Sequence, residues 1–109
     1  MNAEEYMRRG MMYEQEGNLD KAIEDFTKLI DIDPTDVPYM TRGDAYHAKS
    51  KRARTDGDGE GFLKYINLAI YDFEKASEIA PDYAKASYQR MVELLKSERE
   101  NRGQVYKLL

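Results

Sequence analysis

The sequence predicts an all-α fold made of repeated helix pairs. Two segments of the 109-residue chain, residues 22–34 and 69–81, open with Ala-Ile-x-Asp-Phe and place a proline eight residues after the phenylalanine. Apolar residues in the first segment recur at intervals of three and four, which is the pattern of one helix face. Because proline cannot continue a helix, Pro34 and Pro81 are expected to end each unit.

A second motif precedes each of these segments. Residues 6–13 and residues 39–46 both fit Tyr-x-x-Arg-Gly-x-x-Tyr, and their glycines lie 33 residues apart. A spacing of this size indicates a repeat architecture. Gly17 and Asn18 separate the two halves of the first unit, and Asn18 is expected to cap its second helix. Each unit is therefore expected to be a helix–turn–helix.

The small residues of these motifs predict close packing inside each pair. Gly10 is expected to lie opposite Ala22, and Gly43 opposite Ala69, so that the two helix backbones can approach each other. Large aromatic side chains would fill the space around that contact.

These residues resemble the tetratricopeptide repeat, whose pattern combines an aromatic residue, Leu-Gly, Tyr, Ala, Phe and Pro. The resemblance covers about residues 3–34 and 37–81, and a degenerate third copy follows. It implies a right-handed antiparallel helix-pair solenoid with five helices. The expected divisions are residues 1–35 for the first unit, residues 36–81 for the second, and residues 82–109 for a capping helix and tail.

One regular departure from the family pattern is an arginine where leucine is common. The two arginines are Arg9 and Arg42, and both units also carry an aspartate directly before the phenylalanine. A long arginine can lay its stem on the surface between the helices and send its head to a carboxylate. The sequence therefore predicts the pairs Arg9–Asp25 and Arg42–Asp72. The alternative is that all four are solvated surface charges.

The second unit is longer than the first by about 14 residues, placed at about residues 50–62. Phe62 and Tyr65 precede Ala69 at helical spacing, so they are expected to extend the second helix backward to near Gly61. Residues 55–60 are expected to form a mobile loop. The last helix is expected to run from about Asp82 to Glu98 or beyond, and to cover the apolar end of the array.

Composition limits the class of protein. Charged residues make up 35% of the chain and hydrophobic residues 41%, the net charge is −4, and cysteine is absent. Disulfides and thiolate chemistry are therefore excluded. The negative balance gives no general affinity for nucleic acid or anionic lipid. No apolar run approaches the roughly 18 residues of a membrane span, and the N-terminus has no signal-peptide pattern. A soluble, cytoplasmic protein is expected.

Catalytic and cofactor motifs are lacking in the sequence. The single histidine, His47, has no cysteine partner, and no phosphate-binding glycine loop occurs. We therefore expect a protein that is not an enzyme and that needs no cofactor or metal. Asp56, Asp58 and Glu60 imitate the start of a calcium loop, but Asn67 stands where such a loop requires glutamate. The alternatives are a flexible acidic loop and a calcium site.

The stretch Lys-Ser-Lys-Arg-Ala-Arg at residues 49–54 is strongly basic. It is followed by the acidic stretch and contains no aromatic residue that could stack on bases. Intramolecular charge compensation is the expected role, and a nucleic-acid contact is the alternative.

In the resembled family, the first helix of each pair lines a concave face on which partner peptides lie. Projection of this face onto the sequence gives ten candidate partner-binding residues. They are Met7, Met11, Glu14, Met40, Asp44, His47, Lys85, Tyr88, Gln89 and Val92. Methionine is adaptable and suits apolar binding surfaces. In the alternative interpretation, the last helix folds inward, and Val92 and Leu95 pack as core.

The resemblance implies a non-catalytic protein-interaction module that binds a peptide or partner domain in the concave groove. The alternative is a structural domain that associates with itself or assembles a larger chain. A carboxylate-clamp type of peptide site is not expected, because only Lys85 fits its pattern.

Overall fold

The computed structural model describes the backbone of residues 1–108 and the side chains of residues 1–101. This part of the chain contains five helices and no strand, which confirms the predicted all-α class. The helices are α1 (Ala3–Gln15), α2 (Leu19–Ile32), α3 (Asp36–Thr55), α4 (Gly59–Ile79) and α5 (Asp82–Leu108). The last helix thus continues past Glu98, and Leu109, the end of the predicted tail, lies outside the described residues.

Polar caps and glycine turns set the helix ends. Asn2 and Glu5 form a reciprocal capping box at the start of α1. The Asn18 side chain accepts a hydrogen bond from the Lys21 backbone at α2, as predicted, and Asp58 accepts one from the Gly61 backbone at α4. Gly17 and Gly57 precede these two caps with φ of 81° and 77°, a conformation that glycine adopts without strain.

Each helix packs against the next along the chain, so the molecule is a helix-pair solenoid. Two apolar clusters hold it together. The smaller joins the first pair to α3 through Ala22, Phe26 and Ala45, with Met7 packed against it. The larger lies between α3, α4 and α5, and the last helix contributes three of its side chains. These are Tyr88, Val92 and Leu95.

A contact between a glycine and a phenylalanine ring within each pair explains the close approach of its helices. A Cβ atom on Gly10 would lie 2.5 Å from the Phe26 ring, and one on Gly43 would lie 2.9 Å from the Phe73 ring. The glycines therefore make room for the phenylalanine rings.

The insertion in the second unit is helical except for a turn at residues 56–58, so the prediction of a loop over residues 55–60 is wrong. Helix α3 has 20 residues against 13 in α1, and α4 has 21 against 14 in α2. Each helix of the second pair, which we call an arm of the insertion, is therefore longer by seven residues, or about two turns. Both helices thus keep the same faces in contact. Only residues 56–58 connect them, and the predicted backward extension by Phe62 and Tyr65 is confirmed.

Candidate functional site

Two ion pairs fix the first helix of each unit against the second. Arg9 donates to Asp25 through Nε and Nη2, both at 2.8 Å, and Arg42 donates to Asp72 at 2.9 and 2.8 Å. Both predicted pairs are therefore confirmed. Each guanidinium also lies between two tyrosine rings, Tyr6 and Tyr13 for Arg9, and Tyr39 and Tyr46 for Arg42. The Tyr-x-x-Arg-Gly-x-x-Tyr motif therefore packs in the same way in both units.

The second pair is the more deeply buried. The Arg42 side chain is 16% exposed and Asp72 is fully buried, whereas the Arg9 side chain is 47% exposed. Burial raises the pKa of Asp72, and its hydrogen bonds to Arg42 act in the opposite direction. Arg42 also donates to the Thr27 hydroxyl of α2 at 3.3 Å, so it connects the two units.

The predicted partner-binding residues of α1 and α3 differ in how much solvent they contact. Met11 and Asp44 are exposed, while Met7, Glu14, Met40 and His47 are half-buried. Met7 and Met40 pack against the apolar clusters. The imidazole of His47 lies 3.1 Å from a Glu98 carboxylate oxygen on α5.

On α5, most of the predicted residues have structural partners. Tyr88 and Val92 are buried in the larger cluster beside Leu95. The Tyr88 hydroxyl donates to Asp36 at 2.7 Å, and burial together with this bond raises the pKa of Tyr88 to about 12. Lys85 donates to the Ser77 and Glu78 carbonyls at the end of α4, both at 3.1 Å. Gln89 is exposed on the side that faces α4.

A groove of about 310 Å³ lies between α3 and α5, and we call it the α3–α5 groove. Its walls combine large apolar side chains with two charges. It is lined by Met40, Asp44, Phe73, Ser87, Tyr88, Arg90, Met91 and Leu94. Three of these residues, Met40, Asp44 and Tyr88, are among the predicted partner-binding residues.

Sequence reasoning missed the α5 wall of the groove, which is Ser87, Arg90, Met91 and Leu94. The candidate residues of α5 depend on matching Arg90 with Arg9 and Arg42, and this match differs by one residue from the helix face that lines the groove. Counting from the prolines instead aligns Pro81 with Pro34 and therefore Met91 with Asp44. One residue corresponds to about 100° of rotation about a helix, so the proline spacing was the signal that could have found this wall.

Two carboxyl groups of the predicted concave surface, those of Glu14 and Asp44, have raised pKa values. Desolvation raises the pKa of Glu14, and the charge of Asp44 raises it further. Desolvation also raises the pKa of Asp44, and His47 and Lys51 partly offset this effect. Asp44 keeps solvent contact, but it lines the groove, where the neighbouring protein removes part of its hydration. The ionised forms of both groups are therefore less favourable than in open solvent.

The charged insertion is held by contacts within the chain. Lys49 donates to Asp20, Arg52 donates to the Gly17 carbonyl at 2.8 Å, and Arg54 donates to Glu98 at 3.3 Å. The basic stretch is thus compensated, but by α5 and the first unit rather than by the acidic residues next to it. Asp58 caps α4, and Glu60 lies inside that helix. The described residues contain no group of three side chains placed to hold a metal ion.

The helices of the described region are too short or too polar to cross a membrane. The family model of the tetratricopeptide repeat matches residues 3–36, which comprise α1, α2 and the link to α3. No curated protein and no solved structure matches the chain. The second helix pair repeats the glycine–phenylalanine contact and the arginine–aspartate pair of the matched unit. Residues 3–36 therefore match the tetratricopeptide repeat, and the second helix pair has the same packing contacts.

Proposed function

We propose that this protein is a non-catalytic interaction module that binds a peptide or a partner domain on its concave surface. Tetratricopeptide repeats generally mediate protein–protein interaction and are generally non-catalytic. The observation that carries the proposal is the α3–α5 groove, where Met40, Met91 and Leu94 present apolar surface at a solvent-accessible wall. An apolar surface bordered by charges is typical of partner sites.

The concave surface extends from the groove toward the first unit. The proposed surface also includes Met11, a flexible apolar side chain that is exposed on α1. A short segment with apolar side chains, either extended or helical, would match this shape. The cytoplasmic location and the lack of nucleic-acid binding stay predictions that rest on the sequence.

Peptide selection tests this proposal directly. A displayed random-peptide library would be selected on the natural protein, and the selected peptides would be measured by fluorescence anisotropy. Leu94→Glu and Met11→Glu place a charge on exposed apolar positions of the surface, so each is expected to weaken binding about tenfold or more. Tyr71→Glu is the matched control, because Tyr71 is equally exposed on α4 but does not line the groove.

If all three variants bind the selected peptides equally well, the binding site lies elsewhere on the protein. Self-association is the second candidate, because α5 leaves Tyr83 and Leu94 exposed at the end of the array. Sedimentation measures whether the mass of the protein rises with its concentration and whether Leu94→Glu lowers that mass. If both occur and no peptide is selected from the library, self-association is favoured over peptide binding.

A further inference from the structure

The α3–α5 groove has the size and lining to hold one large apolar side chain. Phe73 and Tyr88 lie at its base and are buried, while Met91 and Leu94 rise along the α5 side. Leu94 is 58% exposed, so its side chain has apolar surface left for a ligand to cover. This inference rests on the proposed function and concerns the chemistry of the segment that the groove would accept.

Two opposite charges border the groove, Asp44 from α3 and Arg90 from α5. They do not pair with each other, and neither forms a hydrogen bond or ion pair with another described residue. Arg90 is unusual in this respect. Every other arginine whose side chain is described has a protein partner: Arg8, Arg9, Arg42, Arg52, Arg54 and Arg99.

The α3 side of the groove is acidic. Glu14 from α1 lies near enough to Asp44 for their charges to interact, and desolvation disfavours the ionised form of each. A cation placed beside them would replace lost hydration and relieve the repulsion between the two carboxylates. The charges of His47 and Lys51 on α3 also act on Asp44, but neither residue forms an ion pair with it. The α3 side therefore favours a basic ligand group.

The α5 side favours the opposite charge. Arg90 is exposed, and a guanidinium binds a carboxylate with two parallel hydrogen bonds when the geometry permits. We infer that the groove accepts a peptide with an apolar anchor, flanked by a basic residue that lies against Asp44 and by an acidic group that lies against Arg90. The apolar contact supplies affinity, and the two charges fix the orientation of the peptide.

Synthetic nonapeptides with a central leucine test this inference. One carries lysine two positions before the leucine and glutamate two positions after it, and a second carries the same charges in reverse order. Two further peptides replace both charges by glutamine or the leucine by alanine. One charge order is expected to bind about tenfold or more tightly than both the reverse order and the glutamine peptide.

Variants assign each charge to its side of the groove. Asp44→Asn is expected to bind the peptide with lysine no more tightly than the peptide with glutamine at that position. Arg90→Gln is expected to bind the peptide with glutamate no more tightly than the peptide with glutamine at that position. Glu93→Gln is the control, because Glu93 is an exposed residue of α5 that does not line this groove. Circular dichroism would verify that the variants keep the helical fold, which is expected because Asp44 and Arg90 are exposed.

The outcomes separate this inference from the proposed function. Equal affinity for charged and glutamine peptides would overturn the charge pattern and leave groove binding intact. Equal affinity for leucine and alanine peptides, or no binding of any nonapeptide, would overturn the inference of an apolar anchor. In that last case, the peptides selected from the random library would decide whether the groove binds anything at all.

Discussion

At the scale of single residues, the repeated arginine–aspartate pair has a different environment in each unit. Arg42 and Asp72 are enclosed by the second unit and by Thr27 of the first, whereas the Arg9 side chain is half exposed. A buried charge whose partner is removed cannot recover its hydration, but a half-exposed charge can. The same sequence motif is therefore expected to contribute differently to stability at its two positions.

The variants Asp72→Ala and Asp25→Ala test this difference. Asp72→Ala is expected to lower the free energy of unfolding by about 3–5 kcal/mol, because it leaves the Arg42 charge buried without its carboxylate. Asp25→Ala is expected to cost clearly less. Urea unfolding followed by circular dichroism measures both values, and equal losses would contradict the role assigned to burial.

At the scale of elements, the insertion lengthens the second helix pair without changing how its helices face each other. Seven residues in each arm advance the chain by about 10 Å, so the turn moves outward and both arms stay matched. The turn itself keeps the order of the first unit, a glycine with positive φ followed by a polar cap. Helix α5 runs alongside the extension and holds it through Glu98 and Arg99.

Deletions test whether the two arms act as one element. Removal of residues 47–53 together with residues 61–67 restores the spacing of the first unit, while removal of either segment alone leaves one arm too long. Because the unmatched arm must unravel, the double deletion is expected to be no less stable to heat than either single deletion. If the double deletion loses as much thermal stability as the two single deletions together, each arm is stabilised independently.

At the scale of the whole molecule, α5 acts as the cap of the array. One face of the helix buries Tyr88, Val92 and Leu95 against the second pair. The opposite face is exposed and mostly polar, and consists of Ala86, Arg90, Glu93, Ser97 and Glu100. A short solenoid needs such a helix, because a helix pair cannot bury its apolar face alone. The groove exists only because this helix lies beside α3.

Two adjacent leucines of α5 have different surroundings, because Leu95 packs in the core and Leu94 lines the groove. Leu95 is fully buried and Leu94 is 58% exposed. Leu95→Ala is expected to lower the free energy of unfolding by about 2–5 kcal/mol through the cavity it leaves, and Leu94→Ala by about 0.5 kcal/mol or less. Chemical unfolding measures both. A large loss for Leu94→Ala would mean that this side chain stabilises the fold and is not available to a ligand.

The sequence by itself determined the features that depend on repetition and local periodicity. The two helix pairs, their ends at Asn18 and the prolines, and both arginine–aspartate pairs follow from residues that recur at helical spacing. The helical insertion was also encoded, since Gly57 and Asp58 repeat the turn at Gly17 and Asn18, but the glycine-rich composition around it favoured a loop.

Only the tertiary structure decided which face of α5 is buried. Apolar residues cover a wide arc of this helix, and a shift of one residue in its alignment turns the contact face by about 100°. Packing against α3 and α4 placed Tyr88 and Val92 inside and left Met91 and Leu94 at the groove with Arg90. Helix α5 does not repeat the full motif of α1 and α3, so contacts between distant residues determine its rotation.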